Sequence, residues 1–312
     1  MKADSKILIT GATGLIGSSL KKILEQQGYK NIVCIASKDC DLRSKQEVDK
    51  LFQSVNPEYV FHMAAIVGGI KANSTYPAKF IYDNTMMQAN IVHACYEYKV
   101  AKLLFCGSSC TYPKIENATM DESKLYQGMP EPTNIAYATA KLNGVIMCQS
   151  YAKEHGLNVV IVMPTNTYGT NDHYNLENSH VIPALIMKFY KAKSENADKV
   201  TLWGSGTPYR EFIYSDDVAD AFVFLMNNYN SSEVINVGSM EEVRIKELAE
   251  IVKEVTGFAG IIDFDPNYPD GIMRKCLDSN KLFNMGWKPS LKLKDGIKKV
   301  YDHYLSVVTQ EA

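Results

Sequence analysis

The chain has 312 residues, of which 46% are hydrophobic, and its formal net charge is -2 at pH 7. This apolar content is ample for a large core, and a chain of this length is expected to form two lobes. The balanced charge argues against a nucleic-acid partner, and no apolar run approaches the ~20 residues that span a bilayer. The first residues, MKADSKILIT, lead straight into a predicted strand and lack the pattern of a signal peptide, so we expect a cytoplasmic protein with no membrane partner.

Seven cysteines are scattered along the chain, at positions 34, 40, 95, 106, 110, 148 and 276. Their number is odd, and none of them forms a Cys-x-x-Cys pair, the spacing typical of zinc sites and redox motifs. This pattern predicts reduced thiols and no metal site. Because a free cysteine is most often a small buried hydrophobe, we give a chemical role to Cys110 alone.

A glycine-rich turn lies between the first predicted strand (6–10) and the first predicted helix (18–28). It reads GATGLIG and has the spacing Gly-x-x-Gly-x-x-Gly. Between a strand and a helix this spacing is typical of a dinucleotide-binding loop, because the glycines let the backbone turn tightly and approach the pyrophosphate. The phosphates then lie at the positive end of the helix. The predicted cofactor-binding residues of this loop are Gly11, Thr13, Gly14, Leu15, Ile16 and Gly17.

The end of the second predicted strand (31–36, NIVCIA) favours NADP(H) as the cofactor. NAD-binding proteins place a carboxylate there to bind the ribose 2′-hydroxyl, whereas this chain has Ser37 and Lys38. A hydroxyl and an ammonium suit a 2′-phosphate, although the nearby Asp39 keeps NAD possible. The residues that follow, at a distance from which the adenine edge could be reached, are Asp41 and Leu42.

Strands and helices continue to alternate as far as residue 163. The predicted strands are 58–62, 102–107 and 158–163, and the predicted helices are 47–55, 77–98 and 134–155. This alternation predicts an α/β fold with a doubly wound parallel (Rossmann) sheet. Ligands of such sheets bind beyond the carboxyl ends of the strands. The residues at these ends with a predicted role in binding are Ala64, Ala65, Ser108, Pro164 and Asn166.

The alternation ends after Asn166, where a polar loop (168–179), a glycine-rich stretch (201–210) and short helical runs follow one another. This irregular half predicts a smaller, mixed α/β lobe that covers the cofactor and binds the substrate. The run VINV (234–237) is expected to return to the main sheet. We therefore expect a Rossmann domain of residues 1–165 plus about 213–238, and a substrate lobe of about 166–212 plus 239–312.

Tyr137 and Lys141 are four residues apart in a predicted helix, so both side chains lie on one face of it. An ammonium beside a phenol favours the phenolate, and we expect Lys141 to lower the pKa of Tyr137 from its usual ~10. Such a tyrosine can exchange a proton at neutral pH. At the end of the preceding strand, Ser108 offers a hydroxyl for a carbonyl oxygen and Cys110 a thiol that can move a proton on carbon. Ser109 remains an alternative to Ser108, since neighbours on a strand point to opposite faces.

The set GATGLIG, Ser108 and Tyr137-x-x-x-Lys141 resembles the extended short-chain dehydrogenase/reductase superfamily. Longer runs resemble, more specifically, its GDP-L-fucose synthase family, and this resemblance extends over essentially the whole chain: VGGIKANSTYPAKFIYDN, GSSCTYPK, EPTNIAYATAK, MPTNTYG, NSHVIPALI and WGSGTPYREF. It implies an NADPH-dependent, bifunctional enzyme of nucleotide-sugar metabolism. Such an enzyme epimerises GDP-4-keto-6-deoxy-D-mannose at C3 and C5 and reduces C4 to give GDP-L-fucose.

The resemblance also implies roles for the residues of the site. Cys110 and His180 are the acid/base pair of the epimerisation, and their ordinary pKa values of ~8.5 and ~6.5 lie close enough to neutrality for proton exchange. Tyr137 protonates the C4 oxygen and Ser108 holds it. Lys141 orients Tyr137 and contacts the nicotinamide ribose. The alternatives that the residues leave open are a capping role for His180, His173 as the competing imidazole, and a packed thiol at Cys110.

For the nucleotide end of the substrate, Arg210 is the candidate for the diphosphate, because a planar guanidinium matches phosphate oxygens. Trp203 matches a substrate-contacting position but could equally be a core aromatic. The chain departs from the bacterial members of the family, since it lacks their basic residue in the glycine loop and carries residues 35–37 in place of an arginine-bearing segment. The resemblance places against the substrate Ser108, Ser109, Asn166, Lys188, Trp203, Arg210 and Asp270, and against the cofactor Tyr137, Lys141, Pro164, Asn166 and His180.

Three other functions compete with this one. A C4 reductase of a related GDP-deoxyhexulose, without epimerisation, would need neither Cys110 nor His180. A 4,6-dehydratase usually carries an acidic pair after the catalytic strand, where this chain reads Ser-Cys-Thr from Ser109. A non-catalytic NADP-binding regulator tends to lose the tyrosine or the lysine of the pair, and both are present here.

The oligomeric state also follows from the resemblance. Dimers of the superfamily pair two long helices with their copies, and helices 77–98 and 134–155 are the matching pair in this chain. We therefore expect a homodimer.

Overall fold

A computed structural model of the chain describes residues 1–116, 118–174, 179–268 and 270–311. Its strands are β1 (Ile7–Thr10), β2 (Ile32–Ile35), β3 (Tyr59–His62), β4 (Lys102–Cys106), β5 (Thr119–Met120), β6 (Val159–Pro164), β7 (Asn166–Tyr168), β8 (Lys199–Trp203), β9 (Tyr209–Tyr214), β10 (Val234–Val237), β11 (Glu242–Arg244), β12 (Ile261–Asp265) and β13 (Arg274–Leu277). Its helices are α1 (Leu15–Gln26), α2 (Lys45–Val55), α3 (Ile70–Thr75), α4 (Pro77–Glu97), α5 (Ile135–His155), α6 (Val181–Ser194), α7 (Ser215–Asn228), α8 (Ile245–Thr256), α9 (Asn280–Asn284) and α10 (Leu293–Glu311). Of the predicted polar loop, residues 175–178 lie outside the described residues.

Six strands form the central sheet, in the order β10-β6-β4-β3-β1-β2, and all neighbouring pairs are parallel. Strands β1, β4, β6 and β10 are buried at every position, as expected of parallel strands that are covered on both faces. Helices α1 and α7 cover one face, and α2, α4 and α5 cover the other. The predicted doubly wound parallel sheet is confirmed, and the run VINV joins it as β10, beside β6.

Local chemistry sets the ends of several helices. The Ser44 hydroxyl accepts a hydrogen bond from the Glu47 backbone N–H and caps α2. Pro77 begins α4, where the missing N–H costs nothing. Helix α5 ends at Gly156, which has a φ of 69° and adopts the left-handed conformation that favours glycine.

A second, smaller sheet has the order β11-β9-β13-β5, with β7 paired to β9, and β8 pairs with β12 separately. The sheet is mixed, because β11 is antiparallel to β9 whereas β13 and β7 are parallel to it. Helices α6, α8 and α10 pack together around Phe189, Leu248 and Ile297. This part of the chain is the smaller mixed α/β lobe that the irregular second half predicts.

The chain crosses between the two sheets more than once. Strand β5 belongs to the first half of the chain but pairs with β13 in the smaller sheet. Strand β10 belongs to the second half but pairs with β6 in the central sheet. Leu282 of α9 and Trp287 are buried against α7 in the central core. The division of the chain into two domains at about residues 165, 213 and 238 stays a prediction.

In the described part of the chain, no helix is long and apolar enough to cross a membrane, and no group of three or more His, Cys, Asp or Glu side chains could hold a metal ion.

Candidate active site

The glycine turn after β1 requires glycine at two of its three predicted positions. Gly11 has a φ of 69°, and a Cβ there would lie 2.7 Å from the backbone of Ala64. A Cβ on Gly17 would lie 2.1 Å from the carbonyl oxygen of Gly11, so α1 could not lie as close to the turn. Gly14 is different, because its φ of -77° is ordinary and a Cβ there would meet only the Gly11 oxygen, at 3.4 Å. Gly14 therefore faces open space at the first turn of α1, where a phosphate can approach.

The turn after β2 keeps Lys38 available for an anion. Ser37 and Lys38 are exposed. The competing carboxylate, Asp39, is held in its own turn, since its Oδ2 accepts a hydrogen bond of 2.9 Å from the Ala36 backbone N–H. An ammonium without such a local partner suits a 2′-phosphate better than this carboxylate suits a ribose hydroxyl.

The two residues predicted at the adenine edge are already engaged. Arg43 donates to both oxygens of the Asp41 carboxylate at 2.8 Å, and these hydrogen bonds lower the pKa of Asp41 to about 2. Arg43 also contacts Asp83 of α4, at 3.2 Å. The side chain of Leu42 is buried in the core. Arg43 has no counterpart in the sequence prediction, although it directly follows the two residues that were predicted.

The end of β4 brings Ser108 and Tyr137 into contact. A turn of 3-10 helix, Ser109–Thr111, follows Ser108, whose hydroxyl accepts a hydrogen bond of 3.2 Å from the Cys110 backbone N–H. The Ser108 hydroxyl also lies close enough to the Tyr137 phenol to lower its pKa. Ser109 is buried instead. Of the two serines, Ser108 is thus the one that lies beside the tyrosine.

Lys141 does not act on Tyr137 as the spacing predicts. Its ammonium donates a hydrogen bond of 2.8 Å to the carbonyl oxygen of Cys106, at the end of β4. Burial raises the pKa of Tyr137 well above its ordinary value, and the thiols of Cys110 and Cys106 raise it further, whereas the Ser108 hydrogen bond lowers it. The expected lowering of this pKa was therefore wrong. A phenol that keeps its proton at neutral pH suits a proton donor.

Cys110 lies beside a lysine that the sequence prediction missed. Lys275 of β13 donates to the Cys110 sulfur at 3.1 Å. Burial raises the pKa of Cys110, but the Lys275 ammonium, the hydrogen bond with Ser108 and the His180 ring outweigh it, so that the pKa lies below the ordinary value. Cys110 is consequently more than a packed thiol, because its surroundings favour the thiolate.

His180 is paired with a buried carboxylate. Its Nδ1 lies 3.0 Å and 3.3 Å from the two carboxylate oxygens of Asp172, whose side chain is 1% exposed. The hydrogen bond with Asp172 raises the pKa of His180, although burial opposes this rise. His173, the competing imidazole, is exposed and contacts Asp172 through its backbone N–H. The sequence prediction missed Asp172, although it stands in the same polar loop.

Replacing Asp172 with asparagine should lower the pKa of His180, which can be measured by NMR titration of its ring. The reason is that the carboxylate stabilises the imidazolium, whose pKa in an isolated peptide is ~6.5. Because the folded pKa is raised, this pair stabilises the protein fully below that value, and the stabilisation is lost as the pH rises through the folded pKa. His173→Gln is the matched control and should leave the His180 titration in place. An unchanged His180 titration in the Asp172 variant would contradict the pairing.

An exposed aromatic pair lies at the far end of the smaller lobe. Trp203, 66% exposed, stacks on Tyr268 with a centroid distance of 4.4 Å and an interplanar angle of 7°. Lys188 Nζ lies 5.5 Å from the Trp203 ring. Trp203 is thus no core aromatic. Tyr268 has no counterpart in the sequence prediction.

Arg210 and Asp270 both hold the loop between β12 and β13. One terminal nitrogen of Arg210, Nη1, donates to the carbonyl oxygen of Ile272 at 2.7 Å. The other, Nη2, lies 3.5 Å from the carbonyl oxygen of Asp270. The Asp270 carboxylate accepts two hydrogen bonds of 2.7 Å from Ser205, one from the backbone N–H and one from the hydroxyl. Asp270 therefore fixes a turn with both of its oxygens. Asn166 is tied in a similar way, since its amide donates to the Glu211 carbonyl at 2.8 Å.

Comparison with known proteins gives one consistent family. The model of the NAD dependent epimerase/dehydratase family matches residues 7–238. The chain is 49% identical to "Putative GDP-L-fucose synthase 2" of Arabidopsis thaliana over 311 residues, which cover 100% of this chain and 95% of that one.

Two solved structures are similar over nearly their whole length. One is a GDP-L-fucose synthetase from Naegleria fowleri bound to NADP, with a TM-score of 0.90, 33% identity, and 99% of this chain and 96% of that one covered. The other is a GDP-6-OMe-4-keto-L-xylo-heptose reductase from C. jejuni, with a TM-score of 0.93, 34% identity, and 98% and 99% covered. The chain therefore belongs to the NAD dependent epimerase/dehydratase family and, within it, to the GDP-L-fucose synthases.

Proposed function

We propose that this protein is an NADPH-dependent GDP-L-fucose synthase that epimerises GDP-4-keto-6-deoxy-D-mannose at C3 and C5 and reduces C4. One observation carries the proposal: a thiol with a lowered pKa and an imidazole with a raised pKa share a site with the Ser108–Tyr137 pair. The name of the Arabidopsis relative supports the same activity. Epimerisation at carbon needs a base and an acid on opposite sides of the sugar, and reduction needs a proton donor.

The epimerisation uses Cys110 as the base and His180 as the acid. Ser108 and Tyr137 hold the C4 ketone oxygen, which makes the hydrogens on C3 and C5 acidic. The Cys110 thiolate takes one of these protons and becomes a thiol, while the electron pair of the C–H bond moves to the ketone oxygen. The electron pair then returns from the oxygen to the same carbon, which takes a proton from the His180 imidazolium on the other face and leaves a neutral imidazole. One proton leaves and one arrives, so the carbon is inverted without change in oxidation state.

The reduction uses Tyr137 as the acid. NADPH, when bound, supplies the hydride that C4 accepts. Tyr137 gives its proton to the C4 oxygen as Ser108 holds that oxygen in place. The high pKa of the buried phenol keeps the proton on Tyr137 until this step. Lys141, anchored on the Cys106 carbonyl, is well placed to orient a ribose beside the tyrosine.

The glycine turn and the end of β2 fit NADPH. The open space at Gly14 admits the pyrophosphate at the first turn of α1, and a ligand phosphate is stabilised by the unpaired N–H groups there. Ser37 and Lys38 are exposed where the 2′-phosphate is expected. The NADP bound to the Naegleria synthetase supports this cofactor.

The smaller lobe fits a GDP group. The Trp203–Tyr268 stack offers a flat, exposed aromatic surface, and a guanine base can pack on such a surface. Lys188 beside it adds a positive charge for the diphosphate. Both terminal nitrogens of Arg210 donate to backbone carbonyls, and of its five N–H donors the Nε–H and one N–H of Nη2 are left for phosphate oxygens. Asp270 supports the turn next to Trp203, and its role in binding is then indirect.

The second candidate is a C4 reductase without epimerisation, and the likeness to the C. jejuni heptose reductase favours it. One experiment separates the two. The protein is incubated with GDP-4-keto-6-deoxy-D-mannose and NADPH in deuterium oxide, and the sugar is examined by NMR. We expect deuterium at C3 and C5 and an L-fuco product. Reduction without deuterium would favour the reductase, and no oxidation of NADPH would favour a non-catalytic regulator.

We also propose a homodimer that forms through α4 and α5. These helices expose apolar side chains on their outer surface, among them Ile81, Tyr82 and Ile146, which are 38%, 63% and 47% exposed. Light scattering should give twice the mass of one chain, and the mass of a single chain would contradict the dimer.

We propose a cytoplasmic location because the seven cysteines are all free thiols, as is usual in a reducing compartment. Cell fractionation tests it.

A further inference from the structure

Lys275 contacts the Cys110 thiol but is itself neither the acid nor the base of the proposed epimerisation. The two residues are 165 positions apart, and the Lys275 nitrogen lies 3.1 Å from the sulfur. Surface lysines of the smaller lobe pair with carboxylates, as Lys199 does with Asp263 and Lys294 with Glu254. Within the described residues, Lys275 forms no ion pair with a carboxylate, and the Cys110 sulfur is the side-chain partner that the structure gives its ammonium.

The position of Lys275 is fixed by the sheet. Strand β13 lies between β9 and β5, with Lys275 opposite Arg210 of β9. The neighbouring Arg274 pairs with Glu242, on the other face of the strand. The buried carboxylate of Glu211 accepts a hydrogen bond of 2.8 Å from the Leu277 backbone N–H, which ties β13 to β9. A lysine on a strand held from both sides has a defined direction, and that direction is toward Cys110.

The charged groups around Cys110 come from three elements. Lys275 approaches from β13, and His180, with Asp172 behind it, stands at the start of α6. The neutral phenol of Tyr137 reaches the site from α5. Both cationic groups favour the thiolate, and Lys275 is the stronger influence of the two. Lys275 is also the one without a carboxylate to neutralise it.

We propose that Lys275 is a positioning residue that holds Cys110 as a thiolate, and that it thereby sets the pH range in which the protein removes protons from carbon. This inference rests on the proposed epimerase activity. In the resting site the thiol proton passes to solvent, and the thiolate stays beside the ammonium. When the thiolate takes a proton from C3 or C5, an S–H bond forms and the electron pair moves to the C4 oxygen.

The test compares the full chain with its Lys275→Met and Lys275→Arg variants. The titration of Cys110 is read from the ultraviolet absorbance of the thiolate, as the difference between each protein and the same protein carrying Cys110→Ser. In Lys275→Met the thiolate should form at higher pH, and its fraction at neutral pH should fall roughly tenfold, since an opposite charge within ~4–6 Å shifts a pKa by about one unit or more. Lys275→Arg, which keeps the charge, should restore most of the wild-type titration.

Deuterium exchange provides the second measurement. Exchange by Lys275→Met should fall at neutral pH and recover as the pH is raised, whereas a merely structural defect would lower it at every pH. Lys199→Met removes a strand lysine far from the thiol and should change neither profile. NADPH binding, followed by fluorescence, reports whether each variant is folded; if Lys275→Met is not, Lys275→Gln takes its place.

The outcomes separate the inference from the function on which it rests. An unchanged thiol titration in Lys275→Met, or in Lys275→Gln where that variant replaces it, overturns the inference when the variant binds NADPH. If the wild-type protein shows no exchange, the epimerase proposal is overturned, and the thiol titration still decides whether Lys275 holds the thiolate.

Discussion

Replacing Cys110 with serine should slow deuterium exchange at C3 and C5 by roughly 10²–10⁴-fold, the usual contribution of a general base. The structure gives the reason. The surroundings of residue 110 favour an anion, and the lowered pKa gives this thiol a larger thiolate fraction than an ordinary cysteine has at the same pH. A serine hydroxyl in the same place stays protonated and cannot take a proton from carbon. NADPH affinity should stay close to that of the wild-type protein, because the glycine turn and Lys38 are untouched.

The control for this variant is Cys34→Ser, which changes a thiol on β2. In the central sheet β2 is three strands away from β4, the strand that leads to Cys110. It should leave exchange and NADPH affinity as they are. Equal losses of exchange and NADPH affinity in Cys110→Ser would mean that the thiol supports the structure. Near-normal exchange would mean that another group is the base.

Replacing Gly17 with alanine should destabilise the fold by about 1–3 kcal/mol, the usual cost of an overpacked core position, and weaken NADPH binding strongly. The added Cβ would lie 2.1 Å from the carbonyl oxygen of Gly11 and 2.9 Å from the Cα of Ala12. Both are backbone atoms of the turn after β1, so the turn or the helix must move to make room. Either movement disturbs the N–H groups that are expected to hold the pyrophosphate. Thermal unfolding and NADPH titration measure the two effects.

Gly14→Ala is the matched control, three residues away in the same motif. Its φ of -77° suits alanine, and its Cβ would meet only the Gly11 oxygen, at 3.4 Å. We expect little change in thermal stability, with any loss confined to NADPH binding. Similar stability losses in both variants would contradict the close packing of α1 on the turn.

The fold of the first half of the chain could be predicted because its signals are local. Strands β1, β2 and β3 are short apolar runs, and each is followed by a loop and a helix before the next strand begins. The smaller sheet gives no such signal. Strand β5 has two residues, and it becomes a strand because β13 pairs with it from more than 150 positions away. Lys275 was missed for the same reason, since it reaches the site on β13, which is held by its long-range pairing with β5 and β9.

The candidate site shows the same division. The spacing of Tyr137 and Lys141 indicated a pair on one helix face, and Ser108 was expected beside them at the end of a strand. The spacing could not reveal that the Cys106 carbonyl holds the lysine. Nor could it show that burial governs the pKa of the phenol. Partners of this kind depend on how deeply a side chain is buried and on which backbone atoms surround it. The spacing of two residues in the sequence predicts neither.

The crossings of the chain between its two sheets have a consequence for dissecting this protein. A fragment that stops near residue 165 would lack β10 and leave β6, a buried strand, paired on one edge only, with β4. It would also lose α7, which covers one face of the central sheet together with α1, and with it Leu282 and Trp287 of the same core. An unpaired apolar edge is a template for aggregation. Cofactor binding and sugar chemistry are therefore best separated by point substitutions in the intact chain. A deletion after residue 165 would remove β10 and the core residues that complete the central sheet.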